Sequence, residues 1–168
     1  MKPSLYPVRA PEGARVWLMP KPSGEWLNDD ISHYAAVGID RVVSFLEPDE
    51  ARELGLMEEA EACRKRGIAF DAFAIPDRGV PDERAFTNLI QRLAGRAAEG
   101  EGIAFHCRAG IGRASMGAAT LLIALGLEAD EALQRVGEAR GVQVPDTAEQ
   151  EAFIAACSPT LRPKRVCV

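Results

Sequence analysis

The chain has 168 residues, of which 47% are apolar and 27% are charged, and its formal net charge is −5. This length and composition fit one globular domain with a sizeable hydrophobic core. A net negative charge argues against a general nucleic-acid-binding surface, so we expect no nucleic acid among the partners.

The cysteines and histidines predict no metal site. The four cysteines have no short paired spacing, and there are only two histidines. The N-terminus shows no basic region followed by an apolar core, and the longest apolar stretch, about 116–127, is too short to span a bilayer. We therefore expect a cytoplasmic protein without a membrane partner, in a reducing compartment that keeps thiols free.

Strands and helices are predicted to alternate along the first half of the chain. Residues 1–14 carry three prolines and no hydrophobic period, so we expect an irregular arm there. Asp29 or Asp30 is expected to cap the first helix. Apolar and β-branched runs predict strands at 15–19, 41–46 and 68–74, and the pattern between them predicts helices at about 29–36 and 49–66, the second broken at Gly55.

The second half continues the alternation after a loop at 75–81. Helices are predicted at 82–98, 114–125, 129–139 and 147–156, with a strand from residue 103 before the second of them. We expect a folded domain at 15–157 and an extended tail at 158–168. Strands alternating with helices predict an α/β fold, a central and mainly parallel sheet flanked by helices.

The segment 103–115, IAFHCRAGIGRAS, predicts a strand, a tight loop and a helix. Gly110 and Gly112 let backbone N–H groups turn inward as a nest for an anion, and the following helix adds its N-terminal donors. Arg113 can bind two oxygens at once, and a cysteine in that field, Cys107, readily forms a nucleophilic thiolate. The segment therefore predicts a phosphate cradle with a nucleophile in its floor.

The stretch HCRAGIGR resembles the His-Cys-x5-Arg signature of cysteine-dependent protein tyrosine and dual-specificity phosphatases. The segments RVVSFLEPDEARELGL and FAIPDRGVPD look like those of compact members related to the kinase-associated phosphatase. The resemblance covers about 15–156. It implies the dual-specificity phosphatase fold and hydrolysis through a phosphocysteine, with no cofactor.

The resemblance also implies a role for each signature residue. Cys107 attacks phosphorus, and Arg113 holds the equatorial oxygens. His106 organises the loop through hydrogen bonds, unless it is a plain buried histidine. Arg108 adds positive potential at the rim, unless it is simply a solvated arginine. Backbone N–H groups complete the phosphate site, from Arg108, Ala109, Gly110, Ile111 and Gly112.

Asp77 is the expected general acid. The departing ester oxygen must be protonated by a positioned carboxylic acid, which then accepts a proton from water in the second step. The family carries this acid on a loop, and Asp77 lies 30 residues before Cys107 within IPDRGVP. Alternatively, Asp77 makes only a local turn hydrogen bond; Asp82, after Pro81, fits a helix cap better.

Three further features each allow two interpretations. The family usually has Ser or Thr after the loop arginine, but here Ala114 stands there; the next residue, Ser115, either replaces that hydroxyl or the hydroxyl is missing. Gln150 faintly resembles a glutamine that places water in some tyrosine phosphatases, with a solvated glutamine as the alternative. Cys63 is either a core cysteine or, as in some relatives, a reversible disulfide partner of Cys107.

The expected function is hydrolysis of phosphotyrosine on proteins, with phosphoserine and phosphothreonine left open. One alternative substrate is a small phosphoester such as an inositide, nucleotide or sugar phosphate, although the loop lacks the lysines that inositide-directed relatives often carry. The other alternative is a phospho-binding pseudophosphatase, which only Ala114 favours because Cys107, Arg113 and Asp77 are all present.

Overall fold

A computed structural model describes residues 2–164, so Cys167 and the end of the predicted tail lie outside the described residues. Within these residues five strands form one sheet in the order β1-β2-β5-β3-β4, in which only the β1–β2 pair is antiparallel. The predicted sheet is thus confirmed. The strands are β1 (Tyr6–Arg9), β2 (Arg15–Met19), β3 (Arg41–Ser44), β4 (Ala69–Ala72) and β5 (Ile103–His106).

The helices pack on both faces of this sheet. They are α1 (Leu27–Val37), α2 (Pro48–Glu53), α3 (Glu59–Lys65), α4 (Glu83–Ala98), α5 (Gly112–Ala124), α6 (Ala129–Arg140) and α7 (Ala148–Leu161). Gly55, with φ of 71°, separates α2 from α3 where a break was predicted. Within the described range, no helix is both long and apolar enough to cross a membrane.

Successive side chains of β5 point to opposite faces, which divides the core in two. Ile103 and Phe105 join the cluster beneath α4, α5, α6 and α7, whereas Ala104 joins the cluster formed with α1 and α3. Gly117 brings α5 close to the first cluster, since a Cβ there would lie 2.6 Å from ring atoms of Phe45 and Phe105.

The carboxyl ends of the three central strands lie side by side. Met19 pairs with His106, and His106 pairs with Ser44, so β2, β5 and β3 end together. The loops that leave these ends therefore meet at one edge, where open parallel sheets place their ligands.

Three local expectations were wrong. The N-terminal arm is not irregular at 6–9, because β1 pairs with β2 and buries Val8. The tail starts later than Ser158, because α7 continues to Leu161, which is buried in the core. Neither Asp29 nor Asp30 caps α1; Asp30 accepts a hydrogen bond from the backbone N–H of Ser23 at 2.8 Å instead.

Candidate active site

Cys107 follows β5 directly and begins the loop that leads into α5. The residue is buried, with 3% of its surface exposed. Gly110 has φ of 73°, and a Cβ there would lie 2.5 Å from the carbonyl oxygen of Met19. Only glycine can both adopt the left-handed backbone and approach Met19 this closely. Gly110 therefore allows the loop to pack directly against the end of β2.

The carbonyl groups of this loop are bonded on its outer side. The Arg108 carbonyl accepts from the backbone N–H of Lys21 at 3.2 Å. The Ala109 and Gly110 carbonyls accept from the guanidinium of Arg140, each at 3.2 Å. In a trans peptide the next N–H points opposite to the carbonyl. The N–H groups of Ala109, Gly110 and Ile111 therefore turn away from these outer partners, as a phosphate cradle requires.

Arg140 is a site residue that sequence reasoning missed. It ends α6, and its guanidinium stacks over the ring of Tyr6 at 4.3 Å while it bonds the loop. Its only sequence signal is a cation in the last turn of a helix, which the helix dipole already explains. The N-terminal strand β1, through Tyr6, thus supports the outer wall of the candidate active site.

Arg113 lies in the first turn of α5 and is almost fully buried. Its Nη1 and Nη2 donate to the two carboxylate oxygens of Glu50 at 2.7 and 3.0 Å. Nη1 also donates to the Ile75 carbonyl at 3.0 Å, and Nη2 reaches Asp77 Oδ1 at 3.2 Å. These bonds fix the plane of the guanidinium before any phosphate arrives.

Glu50 is the second residue that sequence reasoning missed. It lies in the first turn of α2, where its carboxylate accepts from the backbone N–H of Glu47 at 2.9 Å. Burial alone would raise the pKa of Glu50, but hydrogen bonds from Arg113 and Glu47 and the charges of Arg113 and Arg108 lower it overall. The local sequence signals only a capping box, not the contact with α5.

Asp77 lies on the loop after β4, next to a tight turn. The N–H of Gly79 donates to the Pro76 carbonyl at 2.8 Å, and Arg78 takes a left-handed φ of 59°. The Asp77 side chain is 59% exposed and contacts Arg113. The carboxyl group is thus held beside the loop arginine and remains open to the pocket mouth.

Gln150 is completely buried, so its interpretation as a solvated glutamine was wrong. Its Nε2 donates to the Gly79 carbonyl at 3.2 Å, and its Oε1 accepts from the Asp146 N–H at 3.1 Å. The amide therefore ties the loop that carries Asp77 to the loop before α7. Whether Gln150 also places a water molecule stays a prediction.

One cavity of about 230 Å³ brings the predicted residues together. Asp146, also unforeseen, gives it a second carboxylate. The cavity is lined by Asp77, Arg78, Cys107, Arg108, Ala109, Gly112, Arg113 and Asp146. Arg108 is exposed at the rim and lies 3.5 Å from Glu50. The predicted cysteine, arginine, acid and loop backbone thus share one pocket.

Other predicted residues lie outside this cavity. Ala114 and Ser115 are buried, and the Ser115 hydroxyl has no hydrogen-bond partner among residues 2–164. Cys63 is a free thiol in the core cluster opposite that of Cys107, and burial, followed by the charge of Glu59, raises its pKa to about 12. Residues 2–164 contain no group of three or more side chains suited to hold a metal ion.

The sequence from 17 to 164 matches a family model described as a Swiss Army Knife protein, DSP-PTPase phosphatase domain. The chain belongs to the dual-specificity phosphatase family. The resemblance of HCRAGIGR to that family is thereby confirmed, and the cavity contains the cysteine and arginine of the signature. No curated protein matches the sequence significantly.

Solved structures of phosphatases share the fold. The kinase-associated phosphatase, crystallised with its catalytic cysteine replaced by serine, has a TM-score of 0.86 at 18% identity, covering 96% of this chain and 97% of that one. The active form of Tk-PTP has a TM-score of 0.76 at 25% identity, covering 95% of this chain and 99% of that one. PTPMT1 has a TM-score of 0.71 at 19% identity, covering 87% and 90%.

Proposed function

We propose that the protein is a phosphomonoesterase that hydrolyses phosphotyrosine on proteins through a phosphocysteine intermediate. The observation that carries this proposal is the shared cavity in which Cys107, Arg113 and Asp77 meet at the N-terminus of α5. A nucleophile, a fixed cation and an exposed carboxyl group are the parts that this reaction needs. Phosphoserine and phosphothreonine are secondary substrates in the proposal, and the compartment is the cytoplasm.

In the first step the Cys107 thiolate attacks phosphorus, and the bond from phosphorus to the ester oxygen breaks. The phosphate oxygens bind Arg113 and the loop N–H groups. Because these oxygens compete with Asp77 for Nη2 of Arg113, binding frees the carboxyl group to face the leaving oxygen. Asp77 then protonates that oxygen as the alcohol departs.

In the second step water attacks the phosphorus of the phosphocysteine. The Asp77 carboxylate takes a proton from this water, the phosphorus–sulfur bond breaks, and Cys107 leaves as a thiolate. The product is inorganic phosphate. Arg113 keeps its contacts through both steps, since Glu50 fixes its other side.

Two features favour a monophosphate ester over a highly phosphorylated small molecule. The loop between Cys107 and Arg113 contains no lysine. Asp77 and Asp146 place two carboxylates on the cavity wall, which would repel additional phosphates. One structural match is PTPMT1 in complex with PI(5)P, at 18% identity. At 18% identity the similarity to PTPMT1 supports a shared fold and not a shared substrate. An inositide is therefore the second candidate substrate, after phosphotyrosine.

A substrate panel tests the proposal. Wild type, Cys107→Ser and Asp77→Ala would be assayed at matched concentrations with phosphotyrosine, phosphoserine and phosphothreonine peptides, an inositol phosphate and a nucleotide. The proposal expects wild type to have its highest kcat/KM on the phosphotyrosine peptide. It expects Cys107→Ser to hydrolyse none of the substrates. Activity that survives Cys107→Ser refutes the mechanism, and peptide binding without turnover by wild type would indicate a pseudophosphatase.

A further inference from the structure

Glu59 and His106 form a buried pair behind the catalytic loop. Glu59 lies at the start of α3, and its Oε1 is 2.7 Å from Nε2 of His106. The side chain of His106 has no exposed surface, and that of Glu59 has 3%. The other ring nitrogen, Nδ1, lies 3.2 Å from the backbone carbonyl oxygen of Cys107. A chain of contacts therefore runs from α3 to the nucleophile.

These contacts determine where the protons must be. A carbonyl oxygen can only accept, so the hydrogen bond to Cys107 requires a proton on Nδ1 of His106. The contact between Nε2 and the Glu59 carboxyl group then needs a second proton, held by one atom or the other. With an ionised Glu59 and a neutral imidazole, the single ring proton would be drawn to Nε2, and Nδ1 would face the carbonyl with no proton.

We propose that Glu59 is a positioning residue that keeps one shared proton in its contact with His106. This proton leaves Nδ1 of His106 free to hold its own proton toward the Cys107 carbonyl. The orientation of the loop residue that carries the nucleophile then depends on α3. The catalytic consequence rests on the proposed phosphatase function, but the placement of the protons does not.

Two ionisable neighbours of the pair, Tyr34 and Cys63, have raised pKa values. Tyr34 lies in α1, and burial, followed by the charges of Asp30, Glu59 and Cys63, raises its pKa far above the ordinary value. Cys63, from α3 itself, has a pKa raised to about 12 by burial and then by Glu59. Both groups therefore stay neutral near pH 7 and do not supply the proton shared by Glu59 and His106.

Histidine ring NMR tests the placement directly, because the chain has only two histidines. Wild-type protein labelled with 15N-histidine would be compared with His33→Asn, which assigns the remaining signals to His106. The proposal expects a protonated Nδ1 throughout the neutral range, in either an imidazolium or an Nδ1–H ring. A neutral ring with its only proton on Nε2 would overturn it. This measurement needs no turnover, so it stands apart from the phosphatase assay.

Variants of Glu59 test the functional consequence. In Glu59→Leu the ring can keep a proton on Nδ1, but Nε2 loses the contact with α3 that holds the ring in place, so we expect kcat/KM to fall roughly 10- to 100-fold and the pH midpoint of Cys107 alkylation by iodoacetamide to rise. Glu59→Gln can still donate a hydrogen bond to Nε2. Its kcat/KM and its alkylation midpoint should therefore lie close to the wild-type values. The exposed neighbour Glu58→Gln is the matched charge control, expected to behave as wild type.

A folded Glu59→Leu with the wild-type alkylation midpoint would overturn the proposal, since a residue that only packs affects stability and not the nucleophile. Thermal melting of each variant shows whether it is folded. If Glu59→Leu does not fold, the test passes to Glu59→Gln. Its His106 ring must then keep the proton on Nδ1, and loss of that proton overturns the proposal as well.

Discussion

Glu50 and Arg113 meet through two hydrogen bonds, at 2.7 and 3.0 Å, behind the cavity that contains Cys107. The carboxylate comes from the first turn of α2 and the guanidinium from the first turn of α5. Removing one partner of such a buried pair leaves an uncompensated charge, whereas the intact pair fixes the arginine for its ligand.

Replacing Glu50 by Ala should therefore weaken both fold and site. We expect the free energy of unfolding to fall by about 2–4 kcal/mol, because the buried Arg113 loses its buried carboxylate partner, while the Asp77 carboxylate that it still contacts is exposed. KM for a phosphopeptide should also rise, because the guanidinium plane is no longer fixed. Urea unfolding and steady-state kinetics measure the two effects. Glu53→Ala, exposed at the end of α2, is the control; equal stability of both variants would contradict the expectation.

The Glu50–Arg113 pair also predicts that the free energy of unfolding falls at acidic pH. The pKa of Glu50 is lowered from its ordinary value of 4.5, since its hydrogen bonds and ion pairs outweigh burial. At pH values between the lowered pKa of native Glu50 and the ordinary pKa of 4.5, the unfolded chain binds more protons than the native chain. The free energy of unfolding therefore decreases as the pH falls through this range. Urea unfolding at several pH values should show a shallower decline for Glu50→Gln than for Glu53→Gln. Parallel curves would argue against the assignment.

Gln150 connects the acid loop to the loop before α7, so its removal should disturb Asp77 without touching the nucleophile. In Gln150→Ala the Gly79 carbonyl loses its donor, and we expect kcat to fall about 10- to 100-fold as the acid is misplaced. Cys107 alkylation should remain unchanged. The exposed neighbour Glu149→Ala is the control. A slowed alkylation in Gln150→Ala would show that the effect passes through the catalytic loop instead.

The central parts of the site were predictable because their signals are local. The cysteine, both glycines and the arginine lie within seven residues, from Cys107 to Arg113, and one strand–loop–helix unit brings them together. The expected acid, Asp77, was predicted from the family resemblance and from its loop, 30 residues before Cys107. The hydrophobic periods likewise predicted the parallel sheet, since each buried run spans one strand.

The residues that support the loop could not be found in this way. Glu50, Glu59 and Arg140 each lie in helices where a charged residue needs no special explanation. They reach the loop arginine, the histidine before the loop and the loop carbonyls from 63, 47 and 30 residues away in sequence, through the packing of whole helices. The strand β1 was missed for a related reason: Pro7 lies within a short edge strand, where the antiparallel partner supplies the order.

We expect Ala114 to make the second step of the proposed reaction the slow one. The family usually places a hydroxyl here to stabilise the departing thiolate, and the Ser115 hydroxyl is buried, without a hydrogen-bond partner among the described residues and outside the cavity lining. It therefore does not replace the missing group. We expect phosphocysteine to accumulate and rapid-quench kinetics with an aryl phosphate to show a burst of released alcohol.

Ala114→Ser restores the hydroxyl at the position where the family carries it. We expect it to raise the steady-state rate and reduce the burst, with little change in the first step, because the hydroxyl acts only as sulfur leaves. Ser115→Ala is the matched control and should change neither quantity. If wild type shows no burst and Ala114→Ser leaves turnover unchanged, hydrolysis of the intermediate is not limited by the missing hydroxyl.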